Sequence, residues 1–278
     1  MYTKNVLAAS NGERGGVPMK FYTFGFKANP VILLLPGTCC HWKLNFGEVI
    51  PLLEQQFHVV CVSYDGFDET VDTIFTDMLT ETQKIEQYIL DNFGGRICAA
   101  YGCSLGGSFV GLLVQRKNIH IDHAILGSSD LDQDPVWKAK LKCKIAIPLL
   151  HKIVSTGEYP KVLQGLMEKK RTPYRDKFMA MFGIGNGGLS FMKRESVYNQ
   201  FYSDLVTPLE TGISIPGTTV HCFYATKMGV EYLTRYQKHF KNPVIHRFDM
   251  EHEELLVLHP DQWAMKIKEI CIPEEKET

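Results

Sequence analysis

Residues 96–116 read RICAAYGCSLGGSFVGLLVQR, in which the apolar run 97–101 passes through Gly102-Cys103-Ser104-Leu105-Gly106 into a helix-forming segment. Strand, tight turn and helix follow one another without a spacer. Working outward, further short runs are apolar throughout rather than alternating: 31–35, 59–62, 124–126 and, with one His inside, 220–224. Strands covered on both faces have this pattern. Between the second run and the turn lies TVDTIFTDMLTETQKIEQYILDNF (70–93), where Val71, Ile74, Phe75, Met78, Leu79, Ile85, Tyr88 and Ile89 recur at helical spacing. Strands alternating with helices imply right-handed crossovers, so the expected class is α/β, with a mostly parallel sheet and helices on both faces.

From 131 to 216 the alternation stops, and helical patches at 136–154, 159–170 and 175–181 predict a helical insertion. The expected division is a core of 1–130 plus 217–278 and an insertion of 131–216. The stretch KAKLKCKIAI (138–147) carries Lys138, Lys140, Lys142 and Lys144; such runs usually form solvated faces, and that is the expectation here. GIGNGG (183–188) has the GxGxxG spacing but no strand before it, so it is expected to be a turn rather than a dinucleotide site. The charged tail EEKET (274–278) is expected to fray.

Composition narrows the function. In 278 residues, 30 Lys and Arg balance 31 Asp and Glu for a net charge of -1, which gives no field to hold a nucleic-acid backbone. The eight cysteines offer no CxxC pair with zinc-site spacing, so they are expected to be reduced thiols and no metal is expected. The opening MYTKNVLAASNGERGG lacks the pattern of a signal peptide, and no run approaches the roughly 18 apolar residues of a membrane span. A cytoplasmic protein with no membrane partner is expected.

The turn supplies the first candidate residue. GxSxG alone matches by chance in roughly one chain of this length in ten. Its position between a buried strand and a helix is what makes it informative, because there a tight turn lifts Ser104 Oγ from the sheet edge while the helix N-terminus points N–H groups at a developing oxyanion. A capping serine in a Gly-rich turn is the plain structural alternative. The second oxyanion donor is expected after VILLL, where Pro36-Gly37-Thr38 follows; the N–H groups of Thr38 and Leu105 form the expected hole. Among ten histidines, His252 follows the last strand-like run, PVIHRFDM, in a short loop suited to a base, whereas His259 precedes Pro260 and leads into a final helix. The acid should lie between Ser104 and His252. The loop Thr226-Lys227-Met228-Gly229 has no carboxylate, so Asp130, directly after AILGSS, is the first choice, with Asp132 second and Glu231 third.

Taken together, LPGT (35–38), GCSLGG (102–107) and HEELLVLHP (252–260) make the chain resemble the α/β-hydrolase superfamily over nearly its whole length. The resemblance implies a helical cap between the sixth and seventh strands, a site beneath it, a nucleophile at Ser104, a base at His252 and oxyanion donors at Thr38 and Leu105. Two positions depart from the pattern: Pro36 stands where a histidine is common, and the usual acid after the later strand is missing. The expected activity is an esterase-like serine hydrolase acting on a small-molecule acyl substrate without a cofactor. An acyltransferase with the same triad and a non-catalytic ligand-binding protein are the alternatives.

Overall fold

The computed structural model describes residues 5–8 and 19–272, so the tail 274–278 and the start of the chain, 1–4, lie outside the described residues, as do 9–18. Eight strands form one sheet: β1 (Asn5–Ala8), β2 (Lys20–Phe24), β3 (Val31–Leu35), β4 (His58–Ser63), β5 (Arg96–Gly102), β6 (His120–Leu126), β7 (Thr219–Ala225) and β8 (Val244–Phe248). Their order is β1-β2-β4-β3-β5-β6-β7-β8. β2 runs antiparallel to both of its neighbours, β1 and β4; from β4 to β8 in the sheet every pairing is parallel. The apolar runs coincide with the inner strands, and β4 is buried along its whole length, as expected of strands covered on both faces.

Two short helices, α1 (Trp42–Phe46) and α2 (Ile50–Leu53), follow β3. Next come α3 (Met78–Phe93) and α4 (Leu105–Arg116), which flank β5 in sequence. The periodicity predicts a helix from about residue 70, but α3 begins only at Met78. Asp77 caps it, its carboxylate accepting from Thr80 N at 2.9 Å and from Thr80 Oγ1 at 2.8 Å. Phe75, which shares the helical spacing, reaches the core from a loop instead. Ser196 Oγ accepts from Phe75 N at 3.2 Å, and Asn199 Nδ2 donates to Phe75 O at 2.9 Å.

Between β6 and β7 run α5 (Val136–Thr156), α6 (Lys161–Lys169), α7 (Pro173–Ala180) and α8 (Arg194–Val206). The first three match the expected helical patches, and α8 adds a fourth. GIGNGG is a turn that folds back on the end of α5, with Gly185 N donating to Gly157 O at 3.0 Å. After β7 come α9 (Val230–His239), then α10 (Glu254–Leu258) and α11 (Pro260–Cys271), whose Trp263 and Ile267 are buried. All eight cysteines are free. Among the described residues, no helix is long and apolar enough to cross a membrane.

One face of the sheet carries a row of three imidazoles. His123 Nδ1 lies 3.3 Å from His221 Nε2, and His221 Nδ1 lies 3.0 Å from His246 Nε2. Burial, with His246, His123 and Lys266 nearby, pushes His221 down to about 4; burial lowers His123 and His246 as well. A folded-state value below the unfolded one near 6.5 means that the unfolded chain binds more protons between pH 4 and 6.5. Stability is therefore expected to fall as pH drops through that window, by up to about 3 kcal/mol from His221. Denaturant titrations at about pH 7 and about pH 5 should show this loss, and His221→Phe should flatten it. An unchanged slope in the variant would locate the acid sensitivity elsewhere.

Candidate active site

The sheet's C-terminal edge gathers four connections, and backbone strain marks all of them. Among the described residues, six non-glycine residues adopt positive φ; four are Cys39, Ser104, Leu131 and Glu253, one in the loop after β3, one in the turn after β5, one after β6 and one after β8. Left-handed backbone at non-glycine residues persists only where the surroundings hold it. Here the holding contacts can be named.

Ser104 sits at φ 50° and ψ -115°, between the end of β5 and the start of α4. The turn closes because two glycines let backbone meet backbone: a Cβ on Gly102 would lie 2.1 Å from the Gly106 carbonyl, and one on Gly106 would lie 2.2 Å from Leu35 O. Cys103 N donates to Leu35 O at 3.0 Å, tying the turn to β3. The side chain of Ser104 is partly exposed and, among the described residues, makes no hydrogen bond.

The loop after β3 packs directly on this turn. A Cβ on Gly37 would lie 3.5 Å from Ser104 Cβ and 3.3 Å from Cys103 O. Asn45, on α1, fixes the loop's path: its Oδ1 accepts from Gly37 N at 2.9 Å, and its Nδ2 contacts Cys103 Sγ at 3.3 Å. Gln200 of α8 accepts from Cys39 N at 2.8 Å and so ties the insertion to the same loop. Between these anchored amides, the N–H of Thr38 is spent on no hydrogen bond among the described residues, and neither is that of Leu105 at the first turn of α4. Leu105 directly follows Ser104, and Thr38 follows Gly37, which packs on the same turn. Burial disfavours the thiolate forms of the cysteines nearby. Burial pushes Cys39 up to about 12 and raises Cys40 and Cys103 well above the ordinary thiol range.

The loop after β8 is fastened to the turn by a residue that sequence reasoning missed. Glu253 is buried, and its Oε1 accepts from Ser104 N and Ser128 N, each at 2.7 Å, while Oε2 accepts from Tyr101 OH at 2.8 Å. In return, Glu253 N donates to Ser128 Oγ at 3.1 Å. Within Glu251-His252-Glu253-Glu254 nothing in the residue types separates this carboxylate from its solvated neighbours. Only the left-handed backbone at 253, φ 55°, turns it inward.

His252 therefore arrives beside the turn, one residue before the clamp. Its carbonyl accepts from Tyr174 OH at 2.9 Å, and Phe178 stands edge-on to its ring at 5.6 Å, both partners belonging to α7 of the insertion. Among the described residues, no hydrogen bond joins the ring to Ser104, and no ion pair joins it to a carboxylate. Asp130 lies two residues beyond Ser128. Its carboxylate accepts from Asp132 N at 3.4 Å, its carbonyl accepts from Arg235 at 3.0 Å, and burial together with the charge of Asp130 pushes Asp204 up to about 8. Asp132 pairs with Lys142 at 3.5 Å and Arg235 at 3.6 Å. Glu231 is exposed and folds over Gly229 at the start of α9. No group of His, Cys, Asp and Glu suited to a metal ion occurs among the described residues.

Sheet order, inserted helices and the turn at Ser104 define the α/β-hydrolase fold. A family model described as alpha/beta hydrolase fold matches residues 30–142, which span the loop after β3 and the turn itself. A putative α/β hydrolase from Desulfitobacterium hafniense superposes with a TM-score of 0.71 at 17% identity, over 90% of this chain and 99% of its own. A lipase-esterase related protein from Clostridium acetobutylicum gives 0.64 at 17%, over 91% and 99%. The 2-hydroxy-6-oxo-6-phenylhexa-2,4-dienoate hydrolase of Rhodococcus sp. strain RHA1 gives 0.59 at 19%, over 96% and 99%. At such identities the likeness is one of fold. No curated protein sequence matches the chain. The chain thus has the α/β-hydrolase fold, and its residues 30–142 match the model of that family.

Proposed function

We propose that the chain is a serine hydrolase that cleaves a small carboxylic ester or related acyl bond through an acyl-enzyme on Ser104. The observation that carries this is the strained Ser104, whose Oγ is uncommitted, on a turn packed against Gly37, with the N–H groups of the next residues, Thr38 and Leu105, unspent among the described residues. Ser104 Oγ attacks the carbonyl carbon while His252 takes its proton; the two N–H groups hold the oxyanion; the imidazolium returns the proton to the leaving alcohol. Water, deprotonated by the same imidazole, then attacks the acyl carbon; the bond to Ser104 Oγ breaks, Oγ takes the proton back from the imidazolium, and the acid is released. The lipase-esterase related protein and the 2-hydroxy-6-oxo-6-phenylhexa-2,4-dienoate hydrolase among its structural neighbours support the class. The insertion, residues 131–216, is the proposed cap.

Asp130 is the proposed acid, because its loop is fastened to the His252 loop through Ser128 and Glu253. A ligand-binding protein without turnover is the second reading, favoured by the missing ion pair at His252. Hydrolysis of short p-nitrophenyl esters separates them. Asp130→Asn is expected to lower kcat by about 10³–10⁴-fold with the fold unchanged. Glu253→Ala, which strips three buried donors of their acceptor, is expected to lower the melting temperature as well as the rate, at roughly 1–3 kcal/mol for each donor left unpaired. An unaltered rate in Asp130→Asn would remove it from the mechanism, and no turnover in the native chain would favour the binding protein.

A further inference from the structure

Helix α5 presents apolar side chains on two opposite faces, one inward and one outward. Ala139, Cys143, Ile147 and Val154 form its buried face, whereas Trp137 is 69% exposed, Leu141 51%, Ile145 70% and Leu149 44%. These four recur every fourth residue, so they form one slowly turning stripe on the side opposite the buried face. The 21 residues of α5 include five lysines and no carboxylate, in a chain whose overall charge is -1. Lys138 and Lys142 are drawn to Asp134 at the N-terminal end. Lys140, Lys144 and Lys152 are exposed and enter no ion pair among the described residues.

From this outward stripe and its unpaired lysines, we propose that α5 is a docking surface for an anionic lipid bilayer, lying flat in the headgroup region without crossing it. An apolar face flanked by lysines is the arrangement of interfacial helices: the side chains enter the acyl boundary while the ammonium groups stay level with lipid phosphates. The charge selects the occupant. A second copy of the chain would set lysine against lysine across a two-fold contact, whereas an anionic lipid surface meets all of them at once. Sequence alone predicts a solvated lysine face; the outward aim of Trp137, Leu141 and Ile145 is what changes that reading. Nothing in the proposal depends on Ser104.

The chain carries its own reporter. Trp42 is 5% exposed and Trp263 is fully buried, so Trp137 is the tryptophan that a bilayer would reach. The full chain is mixed with vesicles of equal parts phosphatidylglycerol and phosphatidylcholine, or of phosphatidylcholine alone, then sedimented while tryptophan emission is recorded. Sedimentation with the anionic vesicles, a blue shift of emission and release by high salt are expected. Lys140→Glu with Lys144→Glu should weaken binding by about tenfold or more, and Ile145→Asp should weaken it with far-ultraviolet circular dichroism unchanged. Turnover of a soluble ester should stay as in the parent chain. Failure to bind anionic vesicles, equal binding to neutral ones, or full binding by both variants overturns the proposal. So does a dimer at low protein concentration that Ile145→Asp dissociates, since a second copy would then cover the stripe.

Discussion

Replacing Ser104 with alanine is expected to reduce ester turnover by a factor on the order of 10⁴ or more, with the unfolding transition preserved. The loss is large because the remaining groups would hold an oxyanion that nothing creates: the proposed donors, the N–H groups of Thr38 and Leu105, would stabilise charge but form no bond to the acyl carbon. The fold should survive, since Ser104 Oγ has no hydrogen-bond partner to lose. His252→Ala is expected to cost a comparable factor, because an alcohol is a weak nucleophile until a base takes its proton. Steady-state kinetics beside a melting curve checks both. Retention of most of the rate by Ser104→Ala would assign the chemistry to another residue.

The largest effect on stability is expected from Gly102→Ala. Most alanine-for-glycine changes are tolerated, but here the added methyl would lie 2.1 Å from the carbonyl of Gly106 and 2.3 Å from Gly107 N. These are backbone atoms, held by β5 on one side and α4 on the other, so relief requires separating a central strand from the helix that covers it. A loss of more than about 4 kcal/mol, or of cooperative unfolding altogether, is expected. Gly94→Ala makes a useful contrast: there a Cβ meets nothing within 4 Å, and only the left-handed φ of 63° resists it. Denaturant midpoints that ranked the two variants equal would mean that the turn relaxes more easily than its packing implies.

The parts of this molecule that could be read from the sequence are those fixed by local pattern. Strands β3 to β7 announce themselves as short apolar runs because both of their faces are covered. Ser104 is legible because a strand-to-helix turn without a spacer needs Gly102 and Gly106. The start of α3 was misplaced since Phe75 satisfies helical spacing while being anchored by Ser196 and Asn199, more than a hundred residues away. Long-range hydrogen bonds also explain Glu253. Its role depends on meeting Tyr101, Ser104 and Ser128 across the sheet edge, and a run of Glu-His-Glu-Glu gives no hint of which carboxylate turns inward. The outer face of α5 was hidden for a related reason: composition shows lysines and apolar residues together, but only packing against α8 decides which of them face out.

The central claim is that Ser104 is an activated nucleophile, and a fluorophosphonate tests it without knowledge of the substrate. The folded chain is treated with the reagent, digested, and the modified peptide located by mass spectrometry. A single adduct on Ser104, lost after unfolding and strongly slowed by His252→Ala, is the expected result. A folded chain that stays unlabelled, or one labelled at another residue, would contradict the account.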